Sequence, residues 1–139
     1  MRLDQFIFCE LARKEASGQF TLIGMITGNE LTLLGESSGG PFLLPMFSIL
    51  AVLDYMQGVT EFESQCEVMR GTEVVQRTPR SRDRRENPSA RFHAHSFTFT
   101  PFAAPGPGEY TFKLIFDASG KVQSFSRKLT FKVAASRSH

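Results

Sequence analysis

The sequence EYTFKLIFDASGKVQSFSRKLTFKV, residues Glu109–Val133, decides the fold. In its first half Tyr110, Phe112, Leu114 and Phe116 alternate with Thr111, Lys113, Ile115 and Asp117. In its second half Phe125, Arg127, Leu129, Phe131 and Val133 alternate with Ser126, Lys128, Thr130 and Lys132. A strand sends successive side chains to opposite faces, so a period of two marks a strand with one buried face. Asp117-Ala118-Ser119-Gly120 separates the runs and supplies a turn. The two runs predict a β-hairpin with an apolar inner face. Gly108-Glu109-Tyr110 opens it, and a tyrosine at a strand start after a Gly/Pro turn is the pattern of the tyrosine corner in immunoglobulin-like sandwiches.

The same period extends upstream. Thr60–Arg70 places Phe62, Ser64, Cys66 and Val68 on one face and Glu61, Glu63, Gln65 and Glu67 on the other, as in an antiparallel sheet with one wet side. Met46–Tyr55 is an apolar run bounded by Pro45 and Gly58, and Glu73–Gln76 follows the turn at Gly71. Arg91–Thr100 reads as a strand with Phe97 and Phe99 on one face; Phe92 falls on the other, which predicts a bulge. Phe20–Ile26 reads as a strand, and Leu31–Leu34 as a further short one. Cys9–Ala16 contains strong helix formers, but Phe6-Ile7-Phe8 favours a strand, and a turn at Lys14–Gly18 joining two strands accounts for the whole block. Glu36–Pro45 and Pro101–Gly108 read as loops. About eight short strands with closely spaced turns predict an all-β chain, a single-domain antiparallel β-sandwich over residues 1–139 with a short tail at 134–139.

Length and composition agree. At 139 residues the chain has the size of one domain and can bury a core without metals or disulfides. Hydrophobic residues at 41% and charged residues at 22% exclude a disordered chain. No stretch approaches the ~20 apolar residues of a membrane span. Fourteen Phe against two Tyr and no Trp suit a core that needs no partners for polar atoms. The net charge of +2 is uneven: Arg77–Arg91 carries +4 and the remainder −2. A general basic surface, which would indicate nucleic acid, is absent. Cys9 and Cys66 lack metal-like or disulfide-framework spacing, and Met1–Cys9 does not read as a signal peptide. Reduced thiols and a cytoplasmic setting are expected, with both cysteines as small buried hydrophobes.

Phe6–Ala12 with Glu15, then Gly18 and Thr21-Leu22-Ile23-Gly24, resembles the opening of a family of small bacterial proteins of unknown function. Their pattern is an apolar strand ending in an acidic-x-Ala-Arg-x-Glu block, then a Gly and a Leu-x-Gly strand. A Pro-containing loop, as at Pro41–Pro45, and a Gly-x-Tyr-x-Phe hairpin, as at Gly108–Phe112, complete the likeness. The matching pieces cover about a third of the chain, and Arg77–Arg91 has no place in the pattern. The resemblance implies a compact β-sandwich in a bacterial cytoplasm and implies no activity.

Candidate chemistry is sparse. His93-Ala94-His95 is a metal-like spacing, because residues two apart on a strand share a face. Zinc takes three or four protein ligands, the remaining histidine is His139 at the chain end, and strand-end histidines are the favoured reading. No nucleophile elbow or Cys–His motif is present. Ser37-Ser38-Gly39-Gly40 lacks the lysine and helix of a phosphate loop. Arg77, Arg80, Arg82, Arg84, Arg85 and Arg91 form the sharpest feature. Guanidinium groups grip phosphate or acidic partners bidentately, yet Asp83 and Glu86 dilute the run and no aromatic interleaves it. A mobile, solvated loop at 77–91 is favoured over a functional contact.

These readings rank three functions. A non-enzymatic binding or assembly module, taking a protein partner or a second copy along an edge strand, stands first. Anion or nucleic-acid binding through Arg77–Arg91 stands second, with nucleic acid disfavoured, and a metal-dependent enzyme built on His93 and His95 stands third. No cofactor and no membrane association are expected.

Overall fold

A computed structural model describes residues 1–35 and 40–135. The chain is all-β. In order the strands are β1 (Arg2–Lys14), β2 (Phe20–Ile26), β3 (Glu30–Gly35), β4 (Phe42–Leu44), β5 (Phe47–Asp54), β6 (Glu61–Arg70), β7 (Glu73–Arg77), β8 (Ser81–Arg84), β9 (His93–Phe99), β10 (Phe102–Ala104), β11 (Gly108–Ala118) and β12 (Lys121–Ala135). They form a sandwich. One sheet has the order β2-β1-β5-β9; the other runs β3-β12-β11-β6-β7, with β8 also paired to β6. A two-stranded piece, β4 with β10, closes one end.

The predicted hairpin is β11–β12, in unbroken register from Gly108↔Phe131 to Ala118↔Lys121. Tyr110, Phe112, Leu114, Phe116, Leu129 and Phe131 are buried. They meet Phe62, Cys66 and Val68 of β6 and, from the facing sheet, Phe8, Phe47, Ile49, Leu53, Phe97 and Phe99. Most of the rings pack at tilted or edge-to-face angles, as where Phe8 meets Phe112 with centroids 5.0 Å apart and an interplanar angle of 66°, while Phe102 and Phe131 stack at 24°. The Tyr110 hydroxyl donates to the Gly106 carbonyl, four residues upstream, as a tyrosine corner requires. Arg127 holds an inward position: its guanidinium lies 4.8 Å over the Phe8 ring and donates to the carbonyls of Phe6 and Gly28.

The block at 9–16 is strand, since β1 continues to Lys14 and pairs with β2. Gly24 is required where these strands meet: its φ is +65°, and an added Cβ would lie 2.9 Å from the Glu10 Cβ. Beyond that point Ala12, Phe20 and Leu22 join Cys9, Leu50 and Ala94 in a second, smaller apolar cluster.

Several expectations are corrected. There are twelve strands rather than about eight. The sandwich is not wholly antiparallel, because β3 runs parallel to β12 from Glu30↔Thr130 to Gly35↔Ala135. β4 and β10 replace loop in Phe42–Leu44 and Phe102–Ala104; three-residue strands give too little alternation to detect. β9 carries no bulge at Phe92: its ladder with β5 is continuous from His93↔Leu53 to Phe99↔Phe47, and Phe92 precedes the strand. Of the expected tail at 134–139, Ala134 and Ala135 belong to β12; His139 and the rest of 136–139 lie outside the described residues, as do Ser37, Ser38 and Gly39. No helix among the described residues is long and apolar enough to cross a membrane.

Candidate functional site

The arginine run does not form one loop. β8 lies within it, paired to β6 as Glu61↔Arg84, Phe62↔Asp83, Glu63↔Arg82 and Ser64↔Ser81. The physical reason is complementarity. β7 leaves β6 at Arg77, opening the edge at Glu61–Ser64, and the outward glutamates of β6 then face the outward arginines of β8. This corrects the expectation of a solvated loop for Ser81–Arg84.

The six arginines are dispersed. Arg80 reaches Glu63 at 2.7 Å and Asp117 at 3.3 Å, and Arg82 approaches Glu63 at 3.9 Å. Arg77 and Arg84 are exposed and make no ion pair with a described residue. Arg85 is 5% exposed and points inward. Its guanidinium donates to the carbonyls of Met56, Val59, Pro88, Ala90 and Phe92, gathering the segments before β6 and before β9 around one cation. Its Nε is buried without a partner among the described residues, and burial lowers its pKa. Arg85 is therefore unavailable to a partner, against the expectation that placed it at a binding surface.

Arg91 leads to a different site. Asp54, at the end of β5, is 1% exposed and receives Arg91 on both carboxylate oxygens, at 2.7 and 3.1 Å. Arg2 reaches the same carboxylate at 3.2 Å, and the Tyr55 amide donates to it at 2.6 Å. Donation from Arg91 outweighs the cost of burial and holds the Asp54 carboxyl below the usual aspartate range. Tyr55 has φ +57°, a left-handed conformation that is strained for a bulky side chain. Its ring is 53% exposed, and the Arg2 and Arg91 guanidinium carbons each lie 5.2 Å from its centroid. Arg91 also lies 5.1 Å from the centroid of Phe92, itself 48% exposed. Two exposed aromatics and two guanidiniums are thus held on one buried carboxylate. Of these residues only Arg91 is a candidate site residue on the sequence alone. Asp54 and Arg91 are distant in sequence, and no local pattern announces their pairing.

His93 and His95 sit on β9 facing β6. Their rings are stacked with centroids 6.0 Å apart, and both meet the Phe62 ring edge-on. His95 Nε2 contacts the Ser64 hydroxyl at 3.0 Å; Ser64 lies 3.3 Å from the Ser81 hydroxyl, which donates to Asp83 at 3.2 Å. The Ser–His–Asp composition does not build a catalytic triad. Asp83 approaches the same ring nitrogen as Ser64, at 3.9 Å, rather than the opposite one, and Ser64 is only 2% exposed. No group of three potential metal ligands occurs among the described residues. Burial is the main cause that pushes His93 down to about 4 and also lowers His95, so both imidazoles are neutral at pH 7. Cys9 and Cys66 are buried and unpaired, and burial raises both thiols.

Neither a scan against protein-family models nor a search of curated proteins finds a match for this chain.

Proposed function

We propose that the protein is a non-enzymatic binding module of the bacterial cytoplasm and that Arg2, Tyr55, Arg91 and Phe92 form its face for a protein partner. The observation that carries this reading is Tyr55: an exposed ring at a strained φ of +57°, flanked by two guanidiniums anchored on Asp54. Backbone strain of this kind amounts to roughly 1–3 kcal/mol and clusters at functional positions. Tyrosine and arginine are also the side chains that dominate protein interfaces, because they bring large area and directed donors at low entropic cost. The test uses Tyr55→Gly, since glycine adopts this φ without strain. Tagged protein is used to capture partners from host extract, and the recovered protein is then purified and rebound. Loss of that pairwise binding in Tyr55→Gly, at unchanged or raised melting temperature, supports the face. Undiminished binding by Tyr55→Gly overturns it.

A second reading, self-association along β2, rests on a separate observation. β2 is a free edge of its sheet and carries no charged residue over Phe20–Ile26. Ile23 and Met25 are exposed on it, at 45% and 57%. Beside it a cavity of about 320 Å³ is lined by Ile26, Leu31, Leu33, Leu44 and Met46, together with Glu10 of β1. β7 and β8, by contrast, carry Glu73, Arg77, Arg82 and Arg84, the kind of charge that protects an edge. A second copy would supply an identical uncharged strand. Sedimentation velocity that shows a dimer dissociated by Met25→Lys supports this reading, and a monomer at hundreds of micromolar overturns it.

A further inference from the structure

The tip of the β1–β2 hairpin lies against β9, and β8 borders the same region. Two hollows adjoin there, of about 230 and 410 Å³. Lys14, Phe20, Arg84, His93 and Ala94 line both. Lys14 comes from β1, Arg84 from β8 and His93 from β9, so three separate elements deliver these groups to one cleft. Neither the Lys14 ammonium nor the Arg84 guanidinium makes an ion pair or hydrogen bond to a described residue. Arg84 stands opposite Glu61 in the β8–β6 ladder and makes no salt bridge with it, and it is among the residues that line both hollows. Two carboxylates border the space: Glu86 beside the smaller hollow, and Asp83, already engaged by Ser81, beside the larger. Arg85 also borders the smaller hollow, buried, with its guanidinium turned to backbone carbonyls.

We propose that this cleft binds a small organic phosphate monoester, its head between Lys14 and Arg84 and its apolar portion against Phe20 and Ala94. A phosphate monoester carries −1.5 to −2 charges at pH 7 and three strong acceptor oxygens. Lys14 and Arg84 make no ion pair with a described residue, and together with Arg85 they outnumber the bordering Glu86 and Asp83, so the cleft keeps net positive charge for such a group. Arginine adds planar, bidentate donation to phosphate oxygens, and lysine adds a compact point charge. Neutral His93 offers one N–H without adding charge, and Asn87 offers amide donors on the rim. Lys14 and Arg85 lie close enough to His93 to disfavour its protonation beyond the effect of burial, with Asp83 acting in the opposite sense. Phe20 and Ala94 give the cleft an apolar wall that inorganic phosphate cannot use.

The test is a titration of the full chain with phenyl phosphate, inorganic phosphate and benzoate at fixed ionic strength. It is read by calorimetry and by amide chemical shifts of Lys14, Arg84 and His93. The expected result is phenyl phosphate binding about 10-fold tighter than either inorganic phosphate or benzoate. Lys14→Ala and Arg84→Ala each weaken it by about 10-fold or more. Phe20→Leu removes the preference for the phenyl ester while leaving inorganic phosphate unchanged. Arg77→Ala, an equal loss of charge on a strand outside the cleft, leaves all three unchanged. Equal weakening by Arg77→Ala and Arg84→Ala would reduce the effect to diffuse charge and overturn the site. Equal affinity for phenyl and inorganic phosphate would overturn the assignment of an organic ester. Lys14 and Arg84 are exposed and unbonded, so these variants fold, and unchanged thermal melts verify it.

Discussion

Replacing Arg85 by Met removes the guanidinium while keeping much of the side-chain volume, and its cost follows from the carbonyls it serves. The Met56 carbonyl also accepts from the Val59 amide, and the Pro88 carbonyl from the Gly58 amide, so both keep a partner. The Val59 and Ala90 carbonyls lose 3.0 Å bonds, and Phe92 loses a longer one at 3.5 Å. A buried acceptor left unpaired costs about 1–3 kcal/mol, which sets an upper range of roughly 2–6 kcal/mol for the two short bonds, both part-buried. Part of this is offset, because the variant no longer buries a cation without a carboxylate partner. The expected net loss is about 3 kcal/mol, or ~10 °C in melting temperature for a chain of this size. Arg85→Lys keeps the charge but cannot span all five carbonyls, and should lose about half as much. Urea unfolding followed by far-UV circular dichroism measures both, with the slope checked for constancy. A loss below about 0.5 kcal/mol for Arg85→Met would refute the cage as a stabilising element, since that is the range of ordinary surface substitutions. By the same reasoning, replacing Ser81–Pro88 with a short linker should strongly destabilise the protein. The sequence alone suggests the opposite, because loop closure entropy changes slowly with length.

Phe112→Ala and Phe131→Ala should each cost roughly 3–5 kcal/mol in the same assay, as both rings are essentially inaccessible; losses below about 1 kcal/mol at both would invert the hairpin's faces. Stability should fall as pH drops from 6.5 to 4. His93 has a folded pKa near 4 against an ordinary 6.5, so the unfolded chain binds more protons in that window. The full shift corresponds to about 3 kcal/mol, and solvent screening of a half-buried ring reduces this to about 1–2 kcal/mol. A pH profile as steep in His93→Gln as in the parent protein would remove His93 as its source. Cys9 and Cys66 should resist a thiol reagent in the native state and react fully on unfolding; rapid native labelling would contradict their burial.

Much of the sandwich was legible because its core is built from phenylalanine at period two. β6, β11 and β12 each bury one face against the other sheet and leave the other wet, and that arrangement writes itself into alternation. β8 escaped notice because neither of its faces is apolar. Its pairing sets Arg82 and Arg84 opposite Glu63 and Glu61 across the ladder, with Arg80 and Arg82 both reaching Glu63, a relation between two segments rather than a pattern within one. Arg85 escaped for a similar reason. A buried arginine satisfied only by carbonyls looks like its five neighbours in the run, and the backbone that receives it leaves no side-chain signature. The exposed face at Tyr55 and the cleft at Lys14 are assembled from distant positions: Arg2 with Arg91, and Lys14 with Arg84 and His93. Periodicity locates strands, but it does not say which strand ends meet.

The placement of β12 has a mechanical consequence. Gln123, near its start, donates to the carbonyl of Met1, while its far end is flanked by β3 at Ala135↔Gly35. The first residue and the end of β12 therefore lie at opposite poles, about 40 Å apart at a strand rise of ~3.3 Å per residue. Tension applied between them runs along the axis of β12, across the hydrogen bonds that tie it to β11 and β3. Those bonds are loaded together in shear rather than peeled one at a time from an end. A chain strung between two attachments would thus yield abruptly at high force, with the parallel β3–β12 pair as its clamp.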